Sequence, residues 1–363
     1  MTDLIGKPAS LIPTPALVVE VEALEGNLRL MSDFFGRRRA KLRPHFKSHK
    51  CVTIARRQLE AGNAVGITCA KLSEAEVLAS GGIEDILIAN EIVGQGKAER
   101  VAELARKCRL TVAVDDESQV RELSAALSGT RARVGVLVEV DVGMHRCGVP
   151  PGEAALRIAR AAASAAGIEF LGLQAYEGHC TTVLDPEERR RQVLASMQKA
   201  VETRRLIEAS GLPVRVLSGG GTGTYDMTGV MDGVDEVQAG SYALMDHYYA
   251  RRRPEFAIAL NVIATVISSN GSDHAVLDVG VKGVGADLGP PVLADRPEDE
   301  ISRFESEEHA SVRVGGRPLK VGDRVRLFPS HGCTTCNLHR RIFAVRGGMV
   351  EDVWAIEGSG CLE

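Results

Sequence analysis

From residue 42 to about 240 the chain repeats one pattern: a short apolar run, a polar or glycine-rich junction, then a stretch whose apolar residues recur at helical spacing. Eight apolar runs stand out, at 42–46, 66–70, 86–90, 110–114, 134–141, 170–176, 214–218 and 236–238. The stretches between them predict helices over 52–59, 73–79, 97–108, 117–127, 153–166 and 186–210, several followed by a glycine where a helix end favours one. Strands that alternate with crossover helices run parallel. Eight of them predict an α/β fold, a (β/α)8 TIM-like barrel whose strands all open their carboxyl ends on one face.

The residues just past those strand ends are polar: Lys47, Ser48 and His49, Asn90, Asp115, the segment from Asp141 to Arg146, then Tyr176, Glu177 and His179, Ser218 to Thr224, and Gln238 to Ser241. Each alone reads as an ordinary solvated loop; their coincidence on one rim points to chemistry. After Arg251-Arg252-Arg253-Pro254 the pattern changes to strands without helices, at 257–268, 274–279, 311–314, 324–327, 341–346 and 350–356, with Gly347-Gly348 where a two-residue hairpin turn belongs. This predicts a C-terminal, mainly-β domain. The early run 16–21 is one strand too many for the barrel and is assigned to the β part, so the expected limits are 22–250 for the barrel and 1–21 plus 251–363 for the β domain. Residues 286–310, rich in Pro, Asp and Glu, read as a long excursion.

Composition narrows the function classes. With 44 Lys+Arg against 48 Asp+Glu the net charge is −4, so no basic field exists for nucleic acid or an anionic membrane. No apolar run reaches membrane-spanning length, and Met1-Thr2-Asp3-Leu4 lacks the order of a secretory signal, so a cytoplasmic protein is expected. Its 8 cysteines are scattered through a chain long enough to need no staples, and they are read as reduced.

Three motifs carry candidate chemistry. Ser218-Gly219-Gly220-Gly221-Thr222-Gly223-Thr224 follows the seventh strand and Ala239-Gly240-Ser241-Tyr242 the eighth. Glycines there let backbone N–H groups close on phosphate oxygens, and this is where barrels hold a phosphate. No Walker A or dinucleotide fingerprint is present. Lys47 ends the first strand at the barrel mouth, where an amine kept partly neutral by Arg43, Lys50 or Arg146 can form a Schiff base with an aldehyde. A phosphate cradle together with a mouth lysine suggests pyridoxal 5′-phosphate. Third, His331 and Cys333 in Pro329-Ser330-His331-Gly332-Cys333-Thr334-Thr335-Cys336-Asn337-Leu338-His339 fall on one side of an extended chain and can grip a divalent cation while leaving positions open. A closed zinc using His331, Cys333, Cys336 and His339, or plain buried thiols, are the other readings of that segment.

Six blocks, in order along nearly the whole chain, resemble the family of the D-threonine aldolases and metal-activated D-serine dehydratases, fold-type III pyridoxal phosphate enzymes related to alanine racemase. They are 43–50, 138–149, 173–176, 218–223, 237–246 and 329–339. The resemblance implies an alanine racemase N-terminal-domain barrel with a C-terminal β domain, a homodimer, and an active site between the domains. It implies that Lys47 bears the cofactor; that Gly220, Gly221, Thr222, Gly240, Ser241 and Tyr242 cradle its phosphate; and that Arg146 lies near its phenolic oxygen. Gln174 and Tyr176 would line the ring, Gln238 would stand beside the pyridine nitrogen, and His331 and Cys333 would bind zinc, manganese or magnesium. The catalytic set so implied is Lys47, Arg146, Tyr176 and His331. Cys333 stands where the aldolases carry Asp and the D-serine dehydratases carry Cys, and a thiolate favours zinc. The remaining blocks look closer to the aldolases. The implied reaction is cleavage of a small D-β-hydroxy-α-amino acid to glycine and an aldehyde, with elimination to a 2-oxo acid and ammonia, as in the D-serine and D-threo-3-hydroxyaspartate dehydratases, as the alternative.

Overall fold

The computed structural model describes residues 2–363, and the chain packs as two compact units: one of Met31–Lys47, Ala55–Gly240 and Cys361–Glu363, the other of the chain up to Leu30, Ser48–Ile54 and Ser241–Gly360. Strand β1 (Ala16–Glu20) belongs to the second unit. The first unit holds β2 (Lys41–Leu42), β3 (Ile67–Cys69), β4 (Asp85–Glu91), β5 (Arg109–Val114), β6 (Val134–Glu139), β7 (Ile168–Ala175), β8 (Val216–Gly219) and β9 (Glu236–Val237). Among the described residues these form an eight-stranded parallel sheet in the order β2-β9-β8-β7-β6-β5-β4-β3. Bridges from Leu42 to Ala64 and from His45 to Thr68 join its two ends, so the sheet closes as the eight-run pattern predicts.

The strands read as unbroken apolar runs because helices cover the sheet outside and side chains fill it inside; β6 is buried at every position. The helix Glu117–Leu127 shows how firmly the junctions are coded: Asp116 accepts from the Ser118 N–H at 2.7 Å, and Gln119 reaches back to the Asp116 N–H at 3.3 Å. Gly172 in β7 is required by close approach, since its φ is +151° and a Cβ there would collide with the Val216 carbonyl of β8.

One buried ion cluster ties the closure. The Arg43 guanidinium, 8% exposed, donates to both Glu236 oxygens at 2.8 and 2.9 Å and to Asp85 at 2.7 Å. Glu236 opens β9 and Asp85 opens β4, so the cluster lies at the amino-terminal end of the barrel. Burial opposes the guanidinium charge, but the two carboxylates outweigh it and hold Arg43 well above its ordinary value.

In the second unit, β10 (Leu260–Ser269), β11 (His274–Leu277), β12 (Val292–Leu293), β13 (Glu300–Phe304), β14 (Ala310–Arg313), β15 (Arg324–Phe328), β16 (Arg341–Arg346) and β17 (Met349–Ala355) join β1 in a sheet of nine strands among the described residues. There β1 pairs antiparallel with β10 and parallel with β16. The stretch 286–310 is less irregular than expected: β12 adds to β15, and β13 pairs with β14. Its charges hid a strand in which Ile301 alone turns to the core. The helix Val21–Gly36, which the strand-and-helix rhythm did not flag, buries Val21, Leu24, Leu28, Met31 and Phe35 at helical spacing. Among the described residues no helix is long and apolar enough to cross a membrane.

Replacing Arg43 by Met strands two carboxylates in the barrel floor and should cost about 3–5 kcal/mol in urea unfolding, with Arg43→Lys recovering part of it. A loss within about 0.5 kcal/mol, the scatter of surface substitutions, would show that closure does not depend on this cluster.

Candidate active site

At the carboxyl end of the barrel a 3-10 turn, Phe46–Ser48, follows the first strand and carries Lys47. The Lys47 Nζ lies 6.0 Å from the centroid of the Tyr176 ring, and the Arg146 Cζ lies 5.7 Å from the same centroid, so Lys47, Arg146 and Tyr176 come together. The loop that delivers Arg146 is fixed by carboxylates: Asp141 accepts the N–H of Gly143 at 2.9 Å and of His145 at 3.0 Å, and Asp115 accepts that of Gly148 at 3.0 Å. Of the three cations expected to keep the lysine amine neutral, two are engaged elsewhere. Arg43 is held by Glu236 and Asp85 in the floor, and Lys50, in the other unit, donates to Asn337 at 2.8 Å. Arg146 remains.

The glycine loop after β8 is built by a residue the sequence reading placed on the rim without a role. Glu177 is fully buried and accepts from the Gly220 N–H at 3.1 Å, from Thr224 Oγ1 at 2.7 Å and from Thr228 Oγ1. Gly221 donates to Thr224 Oγ1 at 3.2 Å, so the N–H groups of Gly220 and Gly221 hold the loop's own shape rather than facing outward. Gly220 needs glycine for its φ of +68°, and a Cβ on Gly221 would stand 3.4 Å from the Tyr176 ring. The buried backbone N–H groups of Gly223 and Gly240, by contrast, have no partner among the described residues. Orphaned buried donors are rare, and their anion-binding character fits a phosphate. Thr222 is buried in the same loop. Ser241 and Tyr242 fall in the second unit, where the Tyr242 ring packs 6.0 Å from that of Phe256.

Gln174 and Gln238 are joined inside the barrel. Gln238 Nε2 donates to Gln174 Oε1 at 3.0 Å and to Ser218 Oγ at 2.9 Å, and Gln174 Nε2 donates to Glu139 Oε2 at 2.5 Å. Burial, then the charge of Glu91, push the Glu139 carboxyl up to about 7 against the opposing pull of Gln174 and Arg146. Glu91, Asp115 and Cys147 crowd to within 4.8 Å of one another beside it. Burial, and after it the neighbouring carboxylates, raise the Glu91 carboxyl and push the Cys147 thiol up to about 11.

In the second unit the His331–Cys333 segment is not the extended chain that the spacing suggested. His331 is extended, but it caps the helix Gly332–Leu338, so Cys333 lies in the first helical turn. Asp246 starts that helix by accepting the Gly332 N–H at 2.8 Å, and Thr335 Oγ1 donates back to the His331 carbonyl at 2.8 Å. The two side chains remain near enough to interact electrostatically. His331 Nδ1 also bonds Asp287 Oδ2 at 2.6 Å, and Thr334 Oγ1 bonds the other oxygen at 2.7 Å. Burial opposes the imidazolium, yet Cys333 and Asp287 outweigh it and raise His331 to about 9. A carboxylate on one ring nitrogen is how a metal-binding histidine is oriented, and a His/Cys donor pair fits a divalent cation. Cys336 is sealed in the core with its thiol far above the ordinary value, and the His339 ring bonds the Gly283 carbonyl at 2.7 Å, so neither joins the pair in a closed four-ligand site. Asp287 was hidden in the stretch taken for an excursion, and no local signal marked it.

A closed parallel barrel with a lysine, an arginine and a glycine loop at its carboxyl mouth, followed by a β unit, defines a class, and comparison with known proteins agrees. Residues 19–247 match the family described as "Alanine racemase, N-terminal domain", and residues 259–345 match "Putative serine dehydratase domain". The chain belongs to the alanine racemase-like family. Within it, 361 residues are 39% identical to a D-threonine aldolase of an Arthrobacter species, covering 98% of this chain and 95% of that protein. A 3-hydroxy-D-aspartate aldolase of Paracoccus denitrificans is 38% identical over the same shares of the two chains. The crystal structure of D-threonine aldolase from Filomicrobium marinum superposes with a TM-score of 0.96 at 39% identity, covering 99% of both chains. These relatives are lyases, and the similarity runs to aldolases over the full length of the chain.

Because Glu177 is the shared acceptor for three buried donors, Glu177→Leu should lower stability by about 2–4 kcal/mol and speed amide exchange across 220–228, with Glu177→Gln intermediate. Unchanged exchange in that loop would show that Glu177 does not hold it.

Proposed function

We propose that the protein is a metal-activated, pyridoxal phosphate-dependent D-threonine aldolase that cleaves D-β-hydroxy-α-amino acids to glycine and an aldehyde. The gathering of Lys47, Arg146 and Tyr176 beside a glycine loop with unpartnered buried N–H groups carries this reading, together with the full-length similarity to aldolases. In this reading Lys47 bears the cofactor, whose ring supplies a sink for the electrons of the breaking Cα–Cβ bond. Gly220, Gly221, Thr222, Gly240, Ser241 and Tyr242 form the phosphate loop segments, with Gly223 added by its orphaned N–H. Arg146 neutralises anionic charge at the mouth, Tyr176 offers a phenol that can hold or pass a proton, and Gln174 and Gln238 meet the ring edge. His331 and Cys333 would hold zinc, manganese or magnesium, whose part when bound is to polarise the substrate hydroxyl. Asp287 keeps the His331 ring oriented for that cation. The reading goes with domain limits of 22–250 for the cofactor barrel and 1–21 plus 251–363 for the β domain, a homodimer, and a cytoplasmic enzyme acting on a small molecule without nucleic acid or membrane.

A dehydratase is the second reading. Cys333 in the ligand pair and the match of residues 259–345 to the serine dehydratase domain favour it. Incubation with D-threonine separates the two: the aldolase gives glycine and acetaldehyde and leaves L-threonine untouched, whereas 2-oxobutanoate and ammonia would establish the dehydratase. Borohydride treatment of the loaded protein should fix the cofactor on Lys47, and a label on Lys50 or Lys71 would overturn the assignment.

Two protein ligands hold a cation weakly. Chelation should therefore abolish turnover without unfolding the protein, Cys333→Ala should do the same, and Cys333→Asp should keep activity while shifting preference toward manganese. Cys336→Ala should retain turnover. If Cys336→Ala is as damaging as Cys333→Ala, or activity survives complete metal removal, the two-ligand assignment is wrong.

A further inference from the structure

Glu139, Gln174 and Ser218 are register partners on three neighbouring strands: Glu139 of β6 lies beside Gln174 of β7, and Gln174 beside Ser218 of β8. All three are buried, at 5%, 3% and 0% exposure, near the carboxyl end of the barrel. Gln238, which directly follows β9, completes the row. The polarity of the row is set at one end. An ionised carboxylate only accepts, so Gln174 must turn its Nε2 to Glu139, which leaves Gln174 Oε1 to accept from Gln238 Nε2. The second Gln238 Nε2 proton goes to Ser218 Oγ. Both amide protons of Gln238 are thereby committed, and the edge it offers a ligand is its carbonyl oxygen.

This matters for what the barrel can bind, on the reading that the ligand is pyridoxal phosphate. Its phosphate suits the unpartnered N–H groups of Gly223 and Gly240, its aldehyde suits Lys47, and its phenolate suits Arg146. The ring nitrogen is the remaining polar group for the amide of Gln238. We propose that Glu139 is a positioning residue which, through Gln174, locks Gln238 with its carbonyl oxygen toward the ring nitrogen, so that the nitrogen is held protonated. A protonated ring withdraws electrons more strongly than a neutral one, which serves cleavage of a carbon–carbon bond.

The groups facing Glu139 come from several elements: Glu91 at the end of β4, Asp115 just after β5, Cys147 and Arg146 in the loop after β6, and Gln174 on β7. Burial, then the charges of Glu91 and Asp115, oppose its ionisation, while Gln174 and Arg146 favour it, and its carboxyl stands near 7. Above that pH the row has one direction. Below it, a protonated Glu139 can donate to Gln174 Oε1, both amides can turn over, and Gln238 can present N–H instead. The sign follows for stability too: a carboxyl raised in the folded state favours folding below its unfolded value, and that contribution is lost as pH rises through about 7.

The test has two arms on the full chain. In the protein without cofactor, with glutamine side chains labelled with nitrogen-15, the Gln238 amide protons should be protected from exchange above pH 7 and lose that protection in Glu139→Gln, with a midpoint near 7 in the wild type. Unprotected Gln238 protons, or protection indifferent to Glu139, overturn the proposal whatever the cofactor. In the loaded protein, ring-nitrogen-15 pyridoxal phosphate should report a protonated nitrogen in the wild type and a shift toward the neutral form in Glu139→Gln, Glu139→Leu and Gln238→Leu. The double variant Glu139→Leu/Gln238→Leu should shift no further than either alone. A neutral nitrogen in the wild type, or one that ignores Glu139, overturns the relay while leaving the cofactor assignment standing. A wild-type melting temperature at pH 8 matched or exceeded by Glu139→Gln shows that the variant is folded and that removing the buried charge costs nothing. Cofactor found on a lysine other than Lys47 is instead a failure of the functional reading, and the exchange arm still decides the relay.

Discussion

The closure of the parallel sheet is the constraint on which the rest of the barrel unit depends. A parallel strand cannot end in open water without exposing a row of backbone donors and acceptors, and eight twisted strands avoid this by joining first to last. Here the first and last strands have only two regular residues each, and the first must pair on both sides. Arg43, one residue further on, reaches the first residue of the last strand and the first residue of β4 at once. One guanidinium therefore binds the seam where backbone pairing is thinnest. Gly66 leaves the space for it, since a Cβ there would collide with the Arg43 guanidinium.

Closure also fixes which polar side chains meet. With the register set, the ends of β6, β7 and β8 bring Glu139, Gln174 and Ser218 into one row, and the loop after β7 drops Glu177 under the glycine loop after β8. Charged groups sit at both ends of the barrel but are handled differently. In the floor Arg43, with Arg109 on the second Asp85 oxygen, balances the two carboxylates in complete ion pairs. At the mouth Glu91, Asp115, Cys147 and Glu139 outnumber Arg146 as potential charges, and the cost appears as raised carboxyl and thiol values rather than as complete ion pairs. Unbalanced charge of this kind is characteristic of functional sites.

In the β unit the same division recurs on a smaller scale. Asp246 is buried and accepts two backbone N–H groups, from Gly332 and Tyr249, starting two short helices. It thereby holds the segment that carries His331 and Cys333, while Asp287 fixes the imidazole. A side-chain pair at the start of a seven-residue helix is only as well defined as the carboxylates that anchor it.

The sequence by itself determined the order and type of the barrel elements, because strands buried on both faces and amphipathic crossover helices leave periodicities that survive without tertiary context. It also singled out Lys47, the glycine loop, and His331 with Cys333 as candidates, because polar residues and glycines gathered at the carboxyl ends of barrel strands, and a His-x-Cys spacing, are visible in short stretches of chain. What only the tertiary structure decided are partnerships between residues far apart in the chain. Arg43 looked like a cation near the lysine and is instead the lock of the floor. Glu177 looked like one rim residue among many and is the support of the loop 43 residues on. Asp287 lay in a stretch without periodicity, and the helix at 332–338 was masked by a spacing equally compatible with a strand. The physical reason is common to all of them: periodicity is a local property of the chain, whereas the partner of a buried charge is chosen by strand register and closure, which bring together residues that no sequence window contains.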